Sequence, residues 1–183
     1  MNTQLTLETE RLLLRPMNLD DAPAVSRLAG RREIADTTIS IPHPYSEEQA
    51  RQWIAGHGDL FADGRFVVFG MELRQGGTLC GTIGLREIDA EHSQAELGFW
   101  VAVDCWGQGY ATEAARAVVK CGFEQLGLNR IYAHHMVRNP ASGRVLAKIG
   151  MKREGLLRQR VRKWGVFEDV VLLAVLRGEL PQR

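Results

Sequence analysis

The sequence has few cysteines, no long apolar run and almost no net charge, and each shortage excludes a class of protein. Its 183 residues include three cysteines and no CxxC pair, so a disulfide framework or a zinc finger is not expected. Its apolar stretches fall short of the ~20 residues that a membrane-spanning helix needs. A net charge of +1 leaves no basic surface for nucleic acid or for a membrane. We therefore expect a cytoplasmic protein with reduced thiols.

The remaining composition is that of a globular protein, with 45% apolar and 25% charged residues, and it suits a single domain over residues 1–183. Apolar runs between glycines and prolines predict strands over 11–15, 65–73, 79–87, 95–103, 130–137 and 166–176. Capping residues and helical spacing predict helices over 18–29, 46–61, 112–126 and 141–149. Hairpins followed by strand–helix units indicate the α/β class with a mixed sheet.

The most informative segment runs from Glu96 to Thr112 and reads ELGFWVAVDCWGQGYAT. A predicted strand enters a short loop that contains Gly107 and Gly109, and the loop opens directly into a helix. The glycines let the backbone turn tightly and expose its N–H groups, while the helix adds unpaired amides and the positive end of its dipole. Such a site binds a pyrophosphate without any lysine. Taken alone, the two glycines also suit an ordinary turn.

Neither of the common nucleotide-binding motifs is present. The sequence has no GxxxxGK[ST], which argues against a P-loop site. Gly107-Gln108-Gly109 is followed by Tyr110, Ala111 and Thr112, so the dinucleotide fingerprint GxGxxG fails at its third position. The loop therefore predicts a pyrophosphate carrier of another kind.

The loop and its surroundings resemble the GNAT superfamily of N-acetyltransferases, most of all the branch with the ribosomal-protein alanine and serine N-terminal acetyltransferases. The family's loop reads [Q/R]-x-x-G-x-[G/A]; Gly109 and Ala111 match it, and Trp106 stands at the first position. The likeness covers nearly the whole chain through LETERLLLRPMNLDDA, YSEEQARQWI, YATEAARAVVKCGFEQLGLNRIYA and NPASGRVLAKIGMKREG. It implies a GNAT-like fold, a mostly antiparallel sheet of about seven strands, splayed in the middle, with about four helices.

The resemblance also implies acetyl-CoA as the co-substrate. The strand ending at Val103 would bulge and splay from its neighbour, and the backbone groups near Trp100 to Val103 would be left unpaired for pantetheine. The amide of Val101 would stabilise the oxyanion that develops on the thioester. The implied cofactor contacts are Trp100, Val101, Val103, Gly107, Gln108, Gly109, Tyr110, Ala111, Thr112, Asn139 and Ser142.

Two residues are predicted to take part in catalysis. Glu96, on the strand that enters the splay, is the first candidate for the general base, directly or through water. A cross-strand charge pair is an equally good interpretation of Glu96. Ser142 is the candidate acid for the leaving thiolate, although Asn139-Pro140-Ala141-Ser142 also suits a plain helix start. An α-amine costs only ~1 kcal/mol to deprotonate at pH 7, against ~4.6 kcal/mol for a lysine side chain.

Other polar side chains near this region allow weaker hypotheses. His134 and His135 are adjacent on a strand and face opposite sides, so they cannot easily share a metal, and either is an alternative base. No metal site is predicted. Glu113, in the first turn of its helix, is expected to have a structural role. Asp169 is a candidate substrate contact, and no base is evident that would activate Cys105 as a nucleophile.

The sequence thus predicts an enzyme that moves an acetyl group from acetyl-CoA directly to a primary amine, such as a protein N-terminus. A small-molecule amine (an antibiotic, a polyamine or an amino acid) is the alternative acceptor. A non-catalytic acyl-CoA-binding module is the alternative from another class, because it would keep Gly107, Gly109 and Asn139 and need neither acid nor base. A homodimer is also compatible with the resemblance.

Overall fold

The computed structural model describes residues 5–179, which form eight strands and six α-helices. The strands are β1 (Leu7–Glu8), β2 (Leu12–Arg15), β3 (Val67–Leu73), β4 (Leu79–Asp89), β5 (Gln94–Val101), β6 (Arg130–Met136), β7 (Lys152–Lys163) and β8 (Val166–Leu176). The helices are α1 (Ala22–Ala29), α2 (Arg32–Thr37), α3 (Glu47–Ala55), α4 (His57–Ala62), α5 (Tyr110–Glu124) and α6 (Pro140–Lys148). No helix in this range is long and apolar enough to span a membrane.

All of these strands belong to one sheet, in the order β1-β2-β3-β4-β5-β6-β8-β7. Neighbouring strands are antiparallel except β5 and β6, which run parallel. That parallel ladder is short, since it joins 94–96 to 130–132 and then stops. Beyond it β5 follows β4 alone, so the sheet opens between β5 and β6. The predicted mixed, mostly antiparallel and centrally splayed sheet is confirmed, with eight strands and six helices instead of about seven and four.

The alternation of side chains along the strands divides the core between the two faces of this sheet. On one face α5 packs against β4, β5 and β6, around Leu85, Leu97, Val118 and Ile131. On the other face α1 and α3 pack together near Trp100. The splay of β5 from β6 is therefore accessible from both layers of helices.

Most predicted elements are present, and the differences have local causes. Ser46 and Gln49 form both arms of the predicted capping box, but the helix that they begin divides at Gly56 into α3 and α4. Asn18 caps a short 3-10 turn that leads into α1. The sequence pattern did not predict β1, α2 or β7. The strand β7 lies at the edge of the sheet, most of its residues are exposed, and seven of its twelve residues are charged, so it lacks the apolar alternation that marks a strand.

A buried histidine in α4 makes stability depend on pH. His57 is 6% exposed and packs edge-on against Trp53, with 4.4 Å between the ring centroids. Neither ring nitrogen has a hydrogen-bond partner among residues 5–179. Burial lowers the pKa of His57 to about 4. The unfolded chain, with an imidazole pKa near 6.5, therefore binds more protons than the folded chain as the pH falls from about 6.5 towards 4.

We expect the wild-type protein to lose roughly 3 kcal/mol of stability from this group between pH 7 and pH 4, and His57→Leu to remove that part of the loss. The stabilisation is complete above the unfolded pKa and disappears as protons enter the unfolded state. Urea denaturation at pH 7, 5.5 and 4.5 measures the effect, with the exposed His92→Leu as the control. Parallel pH dependence in wild type and His57→Leu would contradict the assignment.

Candidate active site

The gap between β5 and β6 opens into a cavity of about 720 Å³. Residues of α5 and α6 line it from one face of the sheet, and residues of the 34–45 segment line it from the other. A volume of this size is typical of small-molecule sites. A cavity with two differently built sides suits two substrates that meet in the middle.

The free edge of β5 faces this cavity. The N–H of Ala102 donates to the carbonyl of Cys80 at 2.8 Å, so the even-numbered residues of this strand turn their backbone groups towards β4. By alternation, Phe99 and Val101 turn theirs towards the cavity, where no strand of the described range lies beside them. The Val101 carbonyl accepts a hydrogen bond of 2.6 Å from the indole of Trp106. The Val101 N–H thus points into the cavity. The backbone groups of Ala102 were also expected to be unpaired, but its N–H bonds to Cys80 and its carbonyl accepts from the N–H of Cys105.

The end of β5 differs from prediction in two further respects. The strand keeps a regular register with β4 from Glu96 to Val101, so the predicted bulge near its end is wrong and the splay alone frees its edge. Trp100 lines the cavity, but its backbone is turned towards Thr82 of β4 and is not free for a ligand. Val103 and Gln108 were predicted as cofactor contacts, but neither is among the described residues that line the cavity.

The glycine loop leads into α5 as the sequence predicted. Gly107 and Gly109 have φ angles of 75° and 85°, which favour glycine. The Gly109 carbonyl accepts the first helical hydrogen bond, from the N–H of Glu113 at 3.1 Å. The N–H groups of Tyr110, Ala111 and Thr112 precede that bond, and these residues line the cavity. The start of α5 is therefore ready to receive an anion.

Arg11 supports this loop from outside the cavity, and the sequence analysis did not single it out. Its Nη1 donates to the Gln108 carbonyl at 2.9 Å, and its guanidinium lies 4.7 Å from the centroid of the Tyr110 ring. Its Nε donates to Glu113 at 2.7 Å, across 102 positions of the sequence. Glu113 also accepts from the hydroxyl of Thr9 at 2.7 Å. Glu113 therefore ties the turn between β1 and β2 to α5.

Two predicted contacts lie at the start of α6. The Asn139 side-chain oxygen accepts from the N–H of Ser142 at 3.2 Å, so Asn139 caps the helix, and Pro140 is its first residue. Both Asn139 and Ser142 line the cavity. Within residues 5–179, the side-chain nitrogen Nδ2 of Asn139 and the hydroxyl of Ser142 make no hydrogen bond. These two polar groups are free to contact a ligand.

Glu96 lies in a buried cluster of charges on the opposite face from α5. The residue is 5% exposed, and it accepts hydrogen bonds from Arg86 Nε at 3.0 Å and Nη2 at 2.8 Å. His134 Nδ1 lies 3.0 Å from its Oε1. Burial acts to raise the pKa of Glu96, but the hydrogen bonds and charges of His134 and Arg86 outweigh burial and lower it. The cross-strand charge pair that the sequence allowed is present, since Arg86 and Glu96 are register partners.

The two adjacent histidines of β6 face opposite sides, as expected for a strand. His135 bonds through Nδ1 to the Met136 carbonyl at 2.8 Å and packs against Gly143 of α6. A Cβ at Gly143 would lie 2.7 Å from His135 Nε2, so α6 needs glycine there to approach the sheet. His134 is on the other face, with Glu96. Among residues 5–179, no group of three His, Cys, Asp or Glu side chains is arranged to hold a metal ion.

Two other sequence candidates have no evident catalytic setting. Asp169 accepts from the N–H of Gln159 at 2.8 Å and is not among the described residues that line the cavity. It supports the β7–β8 hairpin. Cys105 does line the cavity, but burial raises the pKa of its thiol, so the reactive thiolate is disfavoured.

Comparison with known proteins agrees with this geometry. Residues 11–152 match the family described as Acetyltransferase (GNAT) domain. The chain belongs to the GNAT acetyltransferase family. It is 34% identical to the uncharacterized N-acetyltransferase YoaA of Bacillus subtilis over 93% of this chain and 96% of YoaA. This GNAT chain is an N-acetyltransferase, and the co-substrate of the family is acetyl-CoA.

Solved GNAT structures have the same fold. RimJ of Mycobacterium smegmatis, in complex with CoA-disulfide, superimposes with a TM-score of 0.90 at 27% identity, over 98% of this chain and 91% of RimJ. The spermidine N-acetyltransferase of Vibrio cholerae, in complex with CoA and spermine, has a TM-score of 0.80 at 25% identity, over 92% of this chain and 97% of that enzyme. The resemblance predicted from the sequence is confirmed.

Proposed function

We propose that this acetyltransferase holds acetyl-CoA along the free edge of β5 and transfers the acetyl group to a primary amine on the opposite face of the sheet. One observation carries the proposal: the unpaired amides at the start of α5 and the N–H of Val101 face the same cavity. The helix start would bind the pyrophosphate, and the strand edge would bind the amide-like pantetheine.

The chain supplies groups for each stage of a direct transfer. The Val101 N–H is placed to stabilise negative charge on the carbonyl oxygen of the thioester as the amine attacks. The amide of Asn139 would donate to a pantetheine carbonyl. The hydroxyl of Ser142 would hydrogen-bond the departing sulfur, which needs little help because a thiol has a pKa near 8.5.

The acceptor side favours an α-amine over a polyamine. Its lining is mostly apolar and aromatic, with a few hydroxyl groups: Ile34, Thr37, Thr38, Ile39, Ser40, Ile41, Tyr45, Trp53 and Phe66. Among the described lining residues Glu96 is the one carboxylate, and Arg86 already pairs with it. A polyamine would bring several positive charges to a cavity that offers them no free anion. A peptide N-terminus with a small or apolar first residue needs only one charge neutralised.

The test is an acetylation assay with acetyl-CoA and a panel of amines, combined with calorimetry of CoA binding. We expect kcat/KM for peptides that begin with alanine or serine to exceed that for spermidine by at least about tenfold, since one unpaired buried charge costs more than 1.4 kcal/mol. A reversed preference would replace the α-amine with a polyamine. Tight CoA binding without turnover on any amine would favour the non-catalytic binding module.

We also propose a cytoplasmic location and a homodimer, which stay predictions. The three free thiols support the reducing compartment. Light scattering of the purified chain at several concentrations tests the dimer.

A further inference from the structure

We propose that His134 is the group that takes the proton from the attacking amine, and that Glu96 is the positioning residue that holds it. The inference rests on the proposed function, because the proton comes from an amine acceptor. Both oxygens of the Glu96 carboxylate are already hydrogen-bonded. Its Oε2 accepts from Arg86 Nε at 3.0 Å, and its Oε1 accepts from Arg86 Nη2 at 2.8 Å and contacts His134 Nδ1 at 3.0 Å.

The contact with Glu96 selects one tautomer of His134. A carboxylate only accepts hydrogen bonds, so Nδ1 of His134 must carry the hydrogen that joins it to Glu96. The lone pair of the neutral imidazole is then on Nε2. No residue of the 5–179 range makes a hydrogen bond to Nε2, and the His134 side chain lines the cavity. The arrangement leaves one basic nitrogen free on the acceptor side.

The charges around His134 are balanced. Glu96 of β5 faces it, and Arg86 of β4 compensates the charge of Glu96. On β6 itself the Tyr132 ring stands edge-on, 5.7 Å from the imidazole centroid, and its hydroxyl donates to Glu87 at 3.2 Å. From β8 the register partner of His134 is the uncharged Leu172. The imidazole therefore keeps one nitrogen available to accept a proton, whereas both oxygens of the Glu96 carboxylate are already hydrogen-bonded.

His135 does not fit the same role. It lies on the α6 face, and its Nε2 packs against Gly143. The sequence left both histidines open as alternatives to Glu96, because alternation along a strand shows that they face apart but not which face meets the acceptor. The partners of each ring decide between them.

His134 takes part in both proton movements of the transfer. The amine lone pair forms the new C–N bond to the acetyl carbonyl carbon, and His134 Nε2 takes the N–H proton. The C–S bond breaks with its electron pair on sulfur. The imidazolium, stabilised by Glu96, gives its proton to the thiolate, so that amide and thiol leave and the enzyme is unchanged.

The experiment compares His134→Asn, Glu96→Gln and the exposed control His92→Asn. We expect His134→Asn to lower kcat on the order of 100-fold or more, with CoA affinity by calorimetry unchanged, and to leave in the pH–rate profile only the rise that deprotonation of the amine substrate produces. His92→Asn should leave kcat and the profile as they are. Retained kcat and an unchanged profile in a folded His134→Asn enzyme would overturn the base role.

The positioning role of Glu96 has a readout that needs no turnover. In the free wild-type protein, 15N NMR of the imidazole should show the unprotonated nitrogen at Nε2 of His134. In Glu96→Gln the amide offers one acceptor oxygen where the carboxylate offers two, and Arg86 and His134 compete for it, so the fraction of His134 with its hydrogen on Nδ1 should fall. We expect kcat to fall on the order of 100-fold with that change. A wild-type Nε2–H tautomer would overturn the proposal.

Failure of the two proposals is distinguishable. Wild-type protein that acetylates no amine overturns the proposed function, and the base role with it. Wild-type turnover that survives in His134→Asn overturns the base role alone. Circular dichroism and CoA affinity show whether each variant is folded.

Discussion

Gly109→Val is expected to weaken CoA binding by about 100-fold while the protein stays folded, because it removes about two charge-assisted hydrogen bonds from backbone amides. Gly109 has a φ of 85°, which a β-branched residue does not tolerate. The loop must therefore rearrange, and the amides of Tyr110 and Ala111 lose their common direction. An added Cβ would also lie 3.4 Å from Arg11 Nη2, so the side chain would disturb the residue that supports the loop. Calorimetry with CoA measures the change.

The matched control is Gly127→Val, in the turn after α5. Gly127 has a φ of 69°, and its site is open, with no atom within 4 Å of an added Cβ. Similar backbone strain should therefore lower the free energy of unfolding of both variants by about 1–3 kcal/mol in urea denaturation. Only Gly109→Val disturbs the helix start that faces the cavity. Equal CoA affinity in the two variants would refute the proposed pyrophosphate site.

Arg15→Met is expected to cost about 2–3 kcal/mol of stability at pH 7, because it leaves two carboxylates facing each other without their cation. Arg15 bonds to Asp21 at 2.9 Å and 2.8 Å and to Glu72 at 2.6 Å. Asp21 is 8% exposed and stands before α1, which covers the acceptor side. The loss would therefore loosen this helix from the sheet. Urea denaturation measures it.

The pH dependence of this loss distinguishes a buried ion pair from simple packing. Burial acts to raise the pKa of Asp21, but the hydrogen bonds from Arg15 and from the N–H of Asn18 outweigh burial and lower it. The wild type therefore gains stability above the unfolded pKa of about 3.9, and it loses that gain as the pH falls through the lower folded pKa. The deficit of Arg15→Met should shrink at pH 4.5, because its carboxylates take up protons there.

A surface ion pair supplies the control for Arg15→Met. Arg51 pairs with Glu47 at 3.0 Å on the exposed side of α3, with both side chains well exposed to solvent. Arg51→Met should change stability by less than about 0.5 kcal/mol at either pH. A deficit in Arg15→Met that stays constant with pH would indicate lost packing instead of lost charge pairing.

Elements with local signals were predictable, and elements without them were not. The capping box of Ser46 and Gln49 and the glycine turn between β3 and β4 depend on a few adjacent residues, so the sequence shows them directly. The charged edge strand β7 has no apolar alternation, and its pairing with β8 decides its structure. A strand without a local pattern can be assigned only when the strand that it pairs with is known.

The candidate site likewise has some features that the sequence indicated and others that depend on the tertiary structure. Adjacent residues alone indicated that the loop with Gly107 and Gly109 leads into a helix whose first amides are unpaired. Backbone freedom at a glycine and unpaired amides at a helix start are properties of a short segment, so they can be predicted locally. The role of Glu96 depended on the strand register that brings Arg86 and His134 to it, and the support of the loop by Arg11 depended on a contact across 102 positions. Such pairings arise only when the sheet assembles, so no local pattern contains them.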